Sequence, residues 1–277
     1  MTEHLTWIQA LVLGISQGLT EFLPVSSSAH TLILSRLLGW QDPGAAFTAV
    51  TQIGTEAAVI WYFRVEIRKI LVGWFNGLFN AHDRKGEHSK MGWAITIGTL
   101  PIGLFGVLFQ RQIETTARNL WIVASALIVM GVILGIADKR CAQIRTESDI
   151  TMMRAVVFGI GQALALIPGV SRSGATITFG RLMGFTRESA ARYSFLLAIP
   201  AVIASALFEA TKIGDDAFVN WPATIVATLI AAVVGYFVIA RLMQYLRTES
   251  FAPFVAYRII LGTLVLVLVA TGVLSAV

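Results

Sequence analysis

Gln17 and Glu21 stand four residues apart in an otherwise apolar run, the spacing that places two side chains on one face of a helix. Pro24 follows, then Ser26, Ser27 and Ser28, and His30 comes three residues after Ser27. Serine is an ordinary N-cap, because its hydroxyl satisfies an orphan backbone N–H, and capping alone accounts for at least two of the three. The exposed N–H groups of the helix they open still form an anion site. Ser27 and His30 on one face suit either a nucleophile with its base or two ligands of a phosphate. Glu21 lies close to the membrane interior on this reading. A carboxylate there is costly and marks function by default; the competing reading is a solvated Glu21 at the mouth of the turn, or one paired with Arg172 for structure.

The second stretch with chemical potential is Pro168-Gly169-Val170-Ser171-Arg172-Ser173-Gly174-Ala175-Thr176. An arginine among apolar runs needs an anionic partner, and its planar fork suits a bidentate phosphate contact. Ser171, Ser173, Thr176 and the N–H groups of the following helix surround it with donors. Gly169 and Gly174 permit close backbone approach. The alternative is that Arg172 ties the two stretches together through Glu21. Glu56, in the middle of another apolar run, either faces the same cavity or bonds to a neighbouring helix, and the sequence does not choose. His4, His82 and His88 fall in the terminus or a loop and receive no role.

The elements that position these residues form a repeat. Sliding the chain by 145 residues aligns 10–40 with 155–185, and thirteen of the thirty-one positions are identical, Gln17, Val25, Ser26, Ser28, Thr31 and Arg36 among them. An internal repeat decides the fold before anything else does. Each copy has two apolar segments, 8–22 and 25–38 in the first, 155–167 and 175–183 in the second, broken by proline, glycine and serine. Such segments are shorter than the roughly twenty residues of a span, and broken backbone at membrane depth survives only where it lines a cavity. Each pair is therefore expected to be a re-entrant helical hairpin. Full spans are expected over 47–63, 91–109 with a kink at Pro101, 119–137, 193–210, 222–240 and 259–273. The middle of the loop 64–90 is expected to lie in the membrane interface.

Hydrophobic residues make up 56% of the 277 and charged residues 13%, against about 25% charged in a soluble domain. This is the composition of an integral membrane protein. The net charge of +5 is read as basic cytoplasmic loops, with no nucleic-acid partner. With both hairpins re-entrant, loops 64–90, 138–154, 181–192 and 241–258 share one face and hold sixteen of the twenty-one lysines and arginines; the other face has Arg36, Arg111, Arg118 and Lys212, and Arg172 sits at a hairpin tip. The positive-inside rule then puts both termini outside. Three spans separate the copies, so the second is inverted, and the hairpin tips are expected to meet near the midplane. The expectation is an all-α, inverted-topology membrane domain over 1–277, with repeats of about 1–145 and 146–277, six transmembrane helices and two hairpins. One cysteine, Cys141, excludes an intrachain disulfide and a cysteine metal site. The start of the chain lacks the basic segment of a cleavable signal peptide, so the first apolar run is expected to stay.

The stretch Gln17-Gly-Leu-Thr-Glu21 through His30 and the stretch Pro168–Thr176 together resemble the two signatures of the undecaprenyl pyrophosphate phosphatases of the bacitracin-resistance type, and the resemblance covers essentially the whole chain. It implies Mg²⁺- or Ca²⁺-dependent removal of the terminal phosphate from undecaprenyl diphosphate in the bacterial plasma membrane, which recycles the lipid carrier of cell-wall glycans, at a site opening to the outer face. The family's first motif has glutamate or glutamine, then glutamate; this chain has the glutamine form, so Glu21 is the metal carboxylate and Gln17 offers only a neutral carbonyl ligand. Ser27, His30 and Arg172 map onto the family's serine, histidine and arginine, and either Ser27 or His30 is the attacking group. Gln17, Ser26, Ser28, Ser171, Ser173, Gly174 and Thr176 are expected to bind phosphate. The second reading is a lipid-phosphate transporter or flippase. Partners are the polyprenyl diphosphate and membrane lipids, with a homodimer left open.

Overall fold

A computed structural model describes residues 5–41, 44–109, 119–210 and 220–276. The expected loops around Arg111, Arg118 and Lys212, and His4, fall outside them. The described residues form eleven α-helices: α1 (Trp7–Thr20), α2 (Ser27–Leu37), α3 (Gly44–Tyr62), α4 (Arg64–Phe79), α5 (Glu87–Leu108), α6 (Leu120–Arg140), α7 (Met152–Leu164), α8 (Arg172–Leu182), α9 (Arg187–Ala210), α10 (Trp221–Tyr245) and α11 (Ala252–Ala270). Caps start them where the sequence supplies short polar residues: Thr6 and Gln9 form a capping box at α1, and Asn119, Thr151 and Asn220 cap α6, α7 and α10.

Five helices, α5, α6, α9, α10 and α11, are long and apolar enough to cross a membrane. Their outer faces carry large exposed apolar side chains at four-residue spacing, as in Ile225, Leu229, Val233 and Phe237 of α10. So much apolar surface is untenable in water and suits lipid. The chain is a multi-pass membrane protein. The sixth expected span, α3, has 19 residues, but Thr51, Thr55 and Glu56 are buried in it, and it packs against α10 and α9. Polar groups that would disqualify it from facing lipid are turned inward.

The short helices interlock the halves. The α1 helix packs along α10, and α7 packs along α5. Both contacts depend on glycine: a Cβ at Gly14 would lie 2.7 Å from the Ala227 carbonyl, and one at Gly159 only 2.1 Å from that of Gly98. These two glycines are equivalent under the 145-residue shift. Small residues let helix backbones approach closely in this way. α5 runs through Pro101 without ending.

Two expectations about the basic face are corrected. The segment 64–90 is no loop: α4 follows α3 directly and packs on α5, with Trp74 against Gly92 and Trp93, while Val65, Leu71, Phe75 and Phe79 remain exposed. Arg181 and Arg258, counted among the loop charges, are fully buried. Arg181 bonds to Asp138 at 3.3 Å and to the carbonyls of Ala142, Cys141 and Phe185; Asp138 also holds Arg187 at 2.7 Å. Withdrawing both leaves fourteen of the sixteen. Of those that remain, Arg192 meets Glu66, Glu147 and Glu188 at 3.1, 3.0 and 3.3 Å, and Arg247 shares Glu188 at 3.3 Å.

Candidate active site

Each broken unit turns at a serine with the same unusual backbone. Ser26 and Ser171, 145 residues apart, are the two non-glycine residues with positive φ among the described residues, both at 73°. That conformation costs an L-residue of order 1 kcal/mol. It lets each serine cap the next helix: Ser26 Oγ accepts from the Ala29 N–H and Ser171 Oγ from the Gly174 N–H. Each cap also bonds the serine two residues on, Ser28 or Ser173, at 3.2 Å. Capping therefore takes up Ser26, Ser28 and Ser171 and leaves Ser27 free to point elsewhere.

The two turns meet, because Ser173 Oγ donates to the carbonyls of Glu21 and Leu23 at 3.2 and 3.1 Å. Arg172 Nη2 lies 2.5 Å from Glu21 Oε1 and 3.6 Å from Glu56 Oε2. Glu21 Oε2 accepts from Ser27 Oγ at 2.5 Å and from Gln17 Nε2 at 2.8 Å. One carboxylate thus organises Gln17, Ser27 and Arg172, residues drawn from both repeats. Glu56, left open by the sequence, faces this cluster.

The expected proximity of Ser27 and His30 on one face does not become a hydrogen bond. Ser27 turns to Glu21, and His30 is held on both sides: Nδ1 is 2.7 Å from the Ser26 carbonyl and Nε2 is 2.6 Å from Tyr257 Oη, with the two rings stacked. A carbonyl only accepts, so Nδ1 carries the proton in the neutral ring and Nε2 accepts from the tyrosine hydroxyl. Thr176 is fully buried, with its hydroxyl engaged by the Arg172 carbonyl at 2.6 Å and by Ser194. It secures the start of α8. Gly174 admits Arg258, since a Cβ there would lie 2.7 Å from Nη1.

Sequence reasoning missed Tyr257 and Arg258. Arg258 Nη1 donates to the Pro24 carbonyl at 2.9 Å, Nη2 to those of Gly169 and Val170 at 2.9 and 3.0 Å, and Nε to that of Leu127 at 3.1 Å. One guanidinium thus clamps both turns. Replacing it with methionine strands these carbonyls, and each buried unpaired group costs about 1–3 kcal/mol. Arg258→Met is expected to lose at least about 3 kcal/mol of stability, read as a lower melting temperature in detergent. An unchanged melt would show that the turns hold without the clamp.

The metal expectation can be tested against these donors. Glu21 and the Ser27 hydroxyl are hard oxygen ligands of the kind Mg²⁺ and Ca²⁺ take, while Gln17 turns its Nε2 to Glu21 and offers its amide oxygen only if the amide rotates. Glu56 adds a second carboxylate whose two oxygens are buried without a hydrogen-bond partner among the described residues. The residues fit a divalent cation. Beside the first turn lies an open cleft of about 890 Å³, lined by Leu19, Leu23, Val234, Phe237, Leu242 and Phe254, with Arg241, Gln244, Thr248 and Glu249 also on its wall.

The fold and site define a multi-pass membrane protein whose interior holds a carboxylate–arginine–serine cluster at two facing helix N-termini. The chain belongs to the family described as bacitracin resistance protein BacA, whose model matches residues 10–264. It is similar to undecaprenyl-diphosphatase 2 of Streptomyces avermitilis, 53% identical over 98% of this chain and 97% of that protein. It is equally similar to the undecaprenyl-diphosphatase of Thermobifida fusca, 53% identical over 97% of this chain and 92% of that one. The undecaprenyl-diphosphatase of Nocardioides sp. is also 53% identical, over 98% and 99% of the two chains. The family resemblance carried by the two motifs is the family matched.

Proposed function

We propose that the protein is an undecaprenyl-diphosphatase that hydrolyses the lipid diphosphate to undecaprenyl monophosphate and inorganic phosphate. The observation that carries this reading is the meeting of Glu21, Ser27 and Arg172 at two helix N-termini, in a chain whose relatives bear that name over nearly their full length. Hydrolysis in this site asks for a nucleophile, its base and charge neutralisation. Ser27 Oγ already donates to Glu21 Oε2, so Glu21 takes the serine proton as Oγ forms its bond to the terminal phosphorus. The bond from that phosphorus to the bridging oxygen breaks, and the bridging oxygen leaves on the lipid monophosphate. Water then releases phosphate from Ser27. Arg172 and the N–H groups of α2 and α8 hold the phosphate oxygens. His30, with Nδ1–H anchored on Ser26, presents Nε2 beside Tyr257 as the alternative attacking group. A divalent cation held by Glu21, with Gln17 beside it, supplies charge neutralisation of the diphosphate when bound. The cleft beside Leu19 and Leu23 suits the polyprenyl chain.

In this reading the two broken units are re-entrant hairpins of inverted repeats, within a single membrane domain of six spans that counts α3 as the first. The interlock of α1 with α10 and α7 with α5, and the matched turns at Ser26 and Ser171, support it. The basic loops then face the cytoplasm, both termini face outward and the site opens to the outer face of the bacterial plasma membrane. A reporter fused after Val277 is expected to score as external; a cytoplasmic score overturns the inverted arrangement.

The same interlocked halves favour one other reading, a lipid-phosphate transporter, since such sites also lie where repeats meet. Purified protein in detergent separates the two. There is no membrane to transport across, so phosphate release from undecaprenyl diphosphate supports the hydrolase, and its absence from folded protein favours the transporter. Trapping the phospho-enzyme in denaturant at neutral to alkaline pH, where phosphohistidine survives, and mapping the modified residue decides between Ser27 and His30.

A further inference from the structure

Two buried groups near the site have no use in the chemistry above. Gln162, the counterpart of Gln17 in the second repeat, is fully buried with its amide unpartnered among the described residues. Glu56 differs in being acidic. It is only 2% exposed, and among the described residues neither carboxylate oxygen has a hydrogen-bond partner. Its one opposite charge among them is Arg172 Nη2 at 3.6 Å, the same nitrogen that Glu21 holds at 2.5 Å.

A buried carboxylate without hydrogen bonds is costly unless a cation meets it. Here one guanidinium serves two carboxylates and sits closer to Glu21. Were Arg172 to turn to a phosphate, both carboxylates would lose their cation at once. Two facing carboxylates of this kind are the usual protein contribution to a magnesium site that also takes substrate phosphate oxygens. The glutamine at position 17 matters to the same point. Its Nε2 donates to Glu21, so it leaves the first motif with a single acid, while Glu56 reaches the same cluster from α3.

We propose that Glu56 is the second carboxylate ligand of the divalent cation, standing in for the acid that Gln17 does not supply. Glu21 and Glu56 would hold the cation, and Arg172, which now serves both carboxylates, would then be free for the substrate. This rests on the metal dependence proposed above. Charge supports it: two carboxylates against Arg172 leave one negative charge, whereas a divalent ion reverses the sign and lets the site receive a diphosphate.

The test is Mn²⁺ binding to the detergent-solubilised protein, followed by electron paramagnetic resonance without substrate. Wild type is expected to bind one Mn²⁺. Glu56→Gln is expected to weaken that binding at least about tenfold, the scale on which even an outer-shell partner acts. Adding Gln17→Glu to Glu56→Gln is expected to restore most of the affinity, because an acid returns to the site. A merely structural Glu56 would change the melting temperature and leave Mn²⁺ affinity alone. Unchanged affinity in Glu56→Gln, with wild type binding normally, overturns the role of Glu56 and leaves the metal reading standing. Absence of Mn²⁺ binding by wild type overturns both. Should Glu56→Gln not fold, Glu56→Met, which removes the carboxylate and leaves no buried polar group unpaired, takes its place: weakened affinity in the folded protein supports the assignment, and unchanged affinity refutes it.

Discussion

Arg172→Lys is expected to lower phosphate release at least about a hundredfold, or 2.7 kcal/mol in the barrier, as for removal of one transition-state donor. The structure shows why a point charge will not serve. Only Nη2 of Arg172 meets carboxylates, Glu21 at 2.5 Å and Glu56 at 3.6 Å. Among the described residues Nε and Nη1 make no hydrogen bond to protein, so donors remain for phosphate in the same plane as the Nη2 that stays tied. An ammonium has no second edge. It must choose between holding the carboxylates and holding the substrate. The measurement is phosphate release from undecaprenyl diphosphate in detergent, beside a thermal melt of the variant. Near-normal turnover by a folded Arg172→Lys protein would reduce Arg172 to a structural tie between the two turns.

Glu21→Gln is expected to be more severe, a loss of at least about a thousandfold, within the range for a general base. The substitution keeps shape and removes three functions together. Ser27 loses the acceptor 2.5 Å from its hydroxyl, Arg172 loses its nearer anion, and the proposed cation would lose one of its carboxylates. The amide also brings donors to face the donors of Gln17 and Arg172. Activity of the wild type across a Mg²⁺ titration, with EDTA as the zero point, reads the metal part separately. Full activity in EDTA, or an unchanged rate and metal dependence in Glu21→Gln, would remove Glu21 from that role. Gln17→Glu is expected to stay active throughout, since it adds an acid and takes none away.

Much of this was legible in the chain because it is local. Hydropathy and charge depend on composition alone, and they identified a membrane protein and the five apolar helices. The repeat was visible because identical residues recur at a fixed offset; the equivalent serines Ser26 and Ser171 have the same φ. The helix-start role of the serines follows from capping chemistry within three residues. Glu21 and Arg172 stood out because an ion in an apolar run needs a partner.

Tertiary structure decided everything that joins distant residues. Spacing placed Ser27 and His30 on a common face, yet each found a better partner elsewhere, Ser27 in Glu21 and His30 in Tyr257. Glu56 is 35 positions from Glu21 in the chain, and only the packing of α3 turns it to Arg172. Arg181 and Arg258 read as loop charges because long basic side chains near helix ends usually snorkel to the interface. Both instead run inward, where unpaired carbonyls at helix ends and turns offered bonds that lipid could not. Which carbonyls would be left over is a property of the assembled helices. No local pattern around Arg258 records that the turns at Pro24 and Gly169 end up beside it.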